Sequence, residues 1–139
     1  MKKISKYFYD YELISPTLLA EINKNNADTI WYISQDKIQY LDDLREYLGT
    51  PIIANTKVFP HRGICTNEEN INQKRTLTSL HNFNAVDLTF GGLDILENAY
   101  TWTLLNAPKY NIGAIGINRA RNFIHIDWRN CSPVMELKY

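Results

Sequence analysis

The stretch "RNFIHIDWRN", residues 121–130, constrains the fold more than any other part of the chain. Its alternation is that of a strand. Ile124, Ile126 and Trp128 then point to one side, and Phe123, His125, Asp127 and Arg129 to the other. One face is apolar and suits a core; the other sets an imidazole beside a carboxylate. Such a strand needs a partner strand and a covering layer, and it raises the question of whether its polar face is wet surface or the wall of a site.

Several other segments supply those layers. In "SPTLLAEINKNN", Ser15 is placed to cap a helix, Pro16 suits its first turn, and Leu18, Leu19 and Ile22 share roughly one side. A second helix begins at Ser34 and runs through "QDKIQYLDDLREYLG", with Ile38, Leu41, Leu44 and Leu48 as its apolar stripe and Gly49 as its stop. A β-branched run after a proline predicts a short strand over 51–55. Between Val58 and Thr78 no period is sustained, which predicts a long loop of the kind that often carries function. "NAVDLTF" (84–90) reads as a strand ended by Gly91 and Gly92, followed by a helix over 93–106. The runs "NIGAIGI" and "NFIHIDW" then predict a hairpin. No repeat, low-complexity tract or linker interrupts the order. The expectation is one α+β domain over residues 1–139, a small antiparallel sheet with helices packed on it.

At 139 residues with 45% hydrophobic content, the chain is long enough to bury a real core. Lys plus Arg and Asp plus Glu each number 15, giving a formal net charge of zero. That balance, with basic residues scattered, argues against nucleic-acid binding. The opening "MKKISKYFYDYELI" starts basic, but its tyrosines and Asp10 interrupt what a signal core would need, and no long apolar run follows. A soluble protein made in the cytoplasm is expected, without membrane insertion; activity outside the cell would require release by another agent. Cys65 and Cys131 lack the paired spacing of a cysteine-rich zinc module and are expected to be reduced thiols, with a disulfide as the alternative.

The chain has three histidines, His61, His81 and His125. A zinc enzyme needs three protein ligands, commonly nitrogen or carboxylate oxygen, with a fourth position for water. His81, Asp87 and His125 meet that count. Asp87 stands out because a carboxylate within an apolar strand needs a cation or several donors. His61, in "PHRGIC", forms with Cys65 a weaker metal-binding corner. For each histidine, the competing reading is a hydrogen-bonded structural residue.

"SLHNFNAVDLTF" followed by "IGINRARNFIHIDWR" resembles the zinc D-Ala-D-Ala carboxypeptidases and phage L-alanyl-D-glutamate endopeptidases, which share a fold with the hedgehog signalling domain. That family carries Ser-x-His-x-x-Gly-x-Ala-x-Asp and, later, Phe-[Val/Ile]-His-[Val/Ile]-Asp. "LREYLGTPIIANT" is similar to the helix and strand that precede its first motif, so the likeness runs from about residue 5 to about residue 130. It implies Zn2+ bound by His81, Asp87 and His125, and peptidase action on the stem peptides of bacterial peptidoglycan. It also implies that Arg62 holds a substrate carboxylate through its bidentate geometry and that Ser79 bonds the loop backbone. The working place would be the cell wall after release, as for a phage lysin, or a phage particle.

Two departures accompany the likeness. One residue fewer separates His81 from Asp87 than in the family motif, whose glycine is missing; the turn after His81 is expected to absorb the change, since a slip inside a strand would reverse its faces. Asn122 stands where many relatives have an acid, and it cannot take a proton from zinc-bound water. Asp127 is the candidate replacement, either as the proton-shuttling carboxylate or as a partner that orients a ligand. Both departures also fit a non-catalytic member of the same fold, serving as a binding or virion module.

Overall fold

The computed structural model describes residues 2–25, 34–54 and 85–139. Of the three helices described before residue 54, two follow the expected signals. Helix α1 (Asp10–Leu13) is a single turn not foreseen from the sequence, fastened where Glu12 accepts from the Tyr9 N–H at 2.7 Å. Helix α2 (Pro16–Lys24) starts where the Ser15 hydroxyl accepts from Leu18 N–H at 3.3 Å, with Pro16 in its first turn, and buries Leu18 and Ile22. Helix α3 (Gln35–Leu48) buries Ile38, Tyr40, Leu41 and Leu44, and it stops at Gly49, whose φ of 67° is open to glycine at no steric cost.

Strand β1 (Ala85–Thr89), helix α4 (Leu93–Asn106), a 3-10 turn (Ala107–Tyr110), and strands β2 (Ala114–Asn118), β3 (Phe123–Asp127) and β4 (Met135–Leu137) complete the described elements. The sheet order is β1-β3-β2-β4. β2 and β3 form the expected antiparallel hairpin, and β1 pairs antiparallel with the other side of β3. The architecture is α+β, with a mixed sheet. β4 runs parallel to β2, which corrects the expectation of a wholly antiparallel sheet. After β3 the chain loops back to the far edge of β2, where Met135 N–H donates to Gly113 at 2.9 Å. A three-residue strand is too short to display an alternation of its own. The expected strand over 51–55 is, within residues 51–54, a single bridge: Ile53 and Thr89 exchange both backbone hydrogen bonds, at 3.0 and 2.8 Å; Asn55 and the loop from Val58 to Thr78 lie outside the described residues.

Val86 and Leu88 of β1, Ile115 of β2, and Ile124 and Ile126 of β3 are buried together with Leu41, Leu44, Leu96 and Ala99 in one core. Within it, the Tyr40 and Thr103 hydroxyls bond at 2.8 Å and link α3 to α4. The Tyr40 ring meets Trp128 and Tyr110 edge to face, at 5.9 and 5.5 Å between centroids, favourable aromatic geometry. Trp128 thus lies on the apolar side of "NFIHIDW" and ties it down by donating to the Tyr110 carbonyl at 3.0 Å. Among the described residues no helix is long and apolar enough to cross a membrane. Cys131 is a free thiol; Cys65 lies outside the described residues.

Candidate functional site

The core claims Val86 and Leu88, so Asp87 between them turns to the opposite face of the sheet; Ile124 and Ile126 do the same for His125. The β1–β3 register sets Asp87 directly across from His125. His125 Nδ1 lies 2.9 Å from Asp87 Oδ1 and Nε2 lies 2.8 Å from Asp127 Oδ2, so a carboxylate holds each side of the ring. Arg129 completes the row. Its Nε and Nη2 donate to the two oxygens of Asp127 at 2.8 and 2.7 Å, and its backbone N–H adds a third bond at 3.2 Å.

Small neighbours make this row possible. Asp127 is flanked in register by Ala85 and Ala114, and His125 by Asp87 and Gly116. With only methyl groups beside it, Asp127 is overlaid by the folded-back Arg129, and its side chain has no exposed surface. The polar face of "FIHID" is therefore not simply wet surface. A carboxylate this buried needs its full set of donors, and it has them.

The charges follow from these contacts. Burial alone would lower the His125 pKa, but the bonds to Asp127 and Asp87 outweigh it and push the ring up to about 9. Burial acts to raise Asp127, yet His125 and Arg129 hold its carboxyl at about 2. With an acceptor at each nitrogen, the metal-free ring is an imidazolium donating twice.

Of the sequence-derived site residues, the structure brings together Asp87, His125 and Asp127. The shorter spacing after His81 leaves Asp87 on the same face as His125. His81, Arg62, Ser79 and His61 lie outside the described residues. Among the described residues no group of three or more His, Cys, Asp or Glu is placed to hold a metal ion; Asp87 and His125 are two of the ligands that the resemblance names. Asn122 is the turn residue ahead of β3. Its φ of 54° is one that asparagine tolerates better than most residues, and its Nδ2 donates to the Phe90 carbonyl at 2.8 Å, locking the hairpin turn to the end of β1. That position is thus occupied by a structural residue.

Two features of this face escaped the sequence reading. Gly116, in register with His125 on the side away from Asp87, makes room for the Tyr139 ring: a Cβ at Gly116 would lie 2.6 Å from Tyr139 Cε2. Tyr139 also meets Phe123 edge to face at 5.5 Å. Its partial burial, then the charges of Asp87 and Asp127, push the phenol up to about 12. A glycine within the alternating run "AIGIN" was the available signal, since glycine inside a strand often marks a close approach.

Comparison of the chain with protein-family models, with curated proteins and with solved structures gives no match.

Proposed function

We propose that this protein is a zinc-dependent peptidase acting on bacterial cell-wall peptides, with Asp87 and His125 as two ligands and His81 as the third. One observation carries the reading: Asp87 and His125 meet in register while Asp127 holds the far nitrogen of the ring. Zinc ligands are commonly His nitrogen and carboxylate oxygen, and a ligating His commonly donates its other N–H to a carboxylate that fixes tautomer and orientation. Asp87, His125 and Asp127 fit that pattern, with Nδ1 facing the carboxylate ligand and Nε2 anchored.

When bound, zinc would polarise the scissile carbonyl and lower the pKa of a water to about 7. The chain's own residues have distinct tasks around it. Asp127, with His125 and Arg129 on its oxygens, serves as the positioning carboxylate rather than the proton shuttle. Arg62 is proposed to anchor a substrate carboxylate. Water adds to the carbonyl carbon, the C–N bond breaks, and the amine leaves with the proton. The setting proposed is the cell wall after release, or a phage particle.

A second reading rests on the same row. With a carboxylate at each ring nitrogen, His125 is satisfied without metal, as suits a non-catalytic member of the fold serving as a binding or virion module. Metal analysis after purification without chelators separates the two. About one zinc per chain, lost in His125→Ala, together with muropeptide release from peptidoglycan, supports the enzyme. Absence of zinc sinks it, and zinc without release on several peptidoglycan types favours the binding module.

A further inference from the structure

The sheet face around His125 has one flank that the metal-site reading leaves without a role. Asp87 stands on the β1 side of the ring. On the β2 side the register position is Gly116, which has no side chain. Cross-strand neighbours on one face have Cβ atoms about 4.5–5.5 Å apart. A ring seated where the Gly116 Cβ would be is therefore the lateral neighbour of His125, and Tyr139 supplies that ring.

The β4 register, one ring contact and the open slot at Gly116 place Tyr139 there. Leu137 pairs with Gly116 in the β2–β4 ladder, so Tyr139, two residues on, emerges on the same face. Phe123 supports the ring edge to face at 5.5 Å. Any side chain at Gly116 would also press on the Leu137 Cβ at 3.0 Å, so the slot is shaped for a bare backbone with a ring above it. Tyr139 remains largely exposed. Its phenol, pushed up to about 12, stays protonated at neutral pH, and among the described residues its hydroxyl has no hydrogen-bond partner. Its ring thus lies over Gly116, the register partner of His125, and among the described residues its hydroxyl hydrogen is uncommitted.

We infer that Tyr139 is a further catalytic residue of the proposed peptidase, its hydroxyl donating to the carbonyl oxygen of the bound peptide as that oxygen gains negative charge. The inference rests on the zinc-peptidase reading. As water adds to the carbonyl carbon, the C=O electron pair moves to oxygen, and the Tyr139 O–H donates to it without transferring its proton. When the C–N bond breaks, the pair returns to re-form the carbonyl, and the hydroxyl is unchanged. A single donor of this kind contributes a factor of about 100 to 1,000 when fixed by the backbone. A side-chain phenol on an exposed ring stands at or below the lower end.

The test compares wild type, Tyr139→Phe and Gly116→Ala by zinc content, by calorimetric affinity for a phosphinate dipeptide, which presents a tetrahedral anionic centre, and by steady-state kinetics. Tyr139→Phe removes only an exposed hydroxyl and is expected to keep full zinc content. Its phosphinate affinity and kcat should each fall about 10- to 100-fold, with KM little changed. Gly116→Ala evicts the ring and should reproduce the loss. Zinc-loaded wild type and Tyr139→Phe binding the phosphinate equally would overturn the role of Tyr139 while leaving the peptidase reading in place. A wild type that holds no zinc overturns both.

Discussion

Asp87 and His125 face each other across the β1–β3 pair, with Nδ1 and Oδ1 2.9 Å apart. In the metal-free chain this contact is an ion pair; under the proposed zinc reading, the same two atoms would become ligands of one ion. The two states would differ by a proton on His125, with Asp127, which holds Nε2 at 2.8 Å in the metal-free chain, anchoring the ring in both. That shared geometry ties metal affinity and fold stability to one titration.

Zinc affinity should therefore rise with pH. The metal-free ring is pushed up to about 9, and a ligand nitrogen must be neutral, so binding near pH 7 displaces a proton from His125. The apparent association constant is expected to climb about tenfold per pH unit below that value. Calorimetry in buffers of different ionisation enthalpy should detect close to one proton released from this residue. A flat affinity across neutral pH would show that His125 is not the ligand.

The zinc-free protein should have a stability plateau bounded on both sides. His125 has a folded pKa raised to about 9, so its contribution is complete below its unfolded value of about 6.5 and is lost as pH rises through 9. Asp127 is held at about 2, so its contribution is present above its unfolded value of about 3.9 and is lost as pH falls towards 2. Denaturant unfolding with chelator present should give maximal stability between about pH 4 and pH 6.5. His125→Ala should flatten the alkaline limb.

Asp127 separates a positioning role from a proton-shuttling one. Asp127→Asn keeps the shape of the side chain but removes the charge that holds His125 and Arg129. Zinc affinity should fall about 10- to 100-fold, the usual range for losing a carboxylate behind a ligating His. Asp127→Ala, which strands two cationic partners, should destabilise the fold by on the order of 3 kcal/mol. If Asp127→Asn abolished turnover yet bound zinc as tightly as wild type, Asp127 would be the shuttle instead.

Much of this architecture was legible because it rests on local signals. Ser15 with Pro16, Ser34 with Gly49, and the 93–106 run each carry their own start, stripe or stop, and "FIHID" carries its own period. The pairing of Asp87 with His125 was legible only through two motifs read together. The burial of Asp127 was not, because it arises from Ala85 and Ala114 on neighbouring strands and from Arg129 folding back, contacts with no sequence period. The same holds for β4 and for Tyr139 above Gly116: both depend on where the chain returns after β3, which long-range packing decides. Residues 51–54 read as strand from their β-branched content, yet within them only Ile53 finds a partner backbone, at Thr89.

Gly113 provides a test of the frame itself. A Cβ there would lie 1.7 Å from the Arg129 carbonyl oxygen, a collision between two backbones rather than with a mobile side-chain end. Neither backbone can easily give. Gly113 N–H donates to Asp127 O at 2.9 Å, and Gly113 O accepts from Met135 N at 2.9 Å, so the residue joins the end of β3 to the start of β4. Gly113→Ala is expected to cost at least about 3 kcal/mol, the upper part of the overpacking range. Gly91→Ala, where the new methyl meets only Ile95 Cδ1 at 3.8 Å, should stay within about 0.5 kcal/mol. Because Asp127 and Arg129 flank the point of collision, Gly113→Ala should also shift the His125 titration, followed by NMR of its ring protons. A variant with wild-type unfolding and an unchanged His125 titration would show that β3 and β4 do not meet at Gly113 as described.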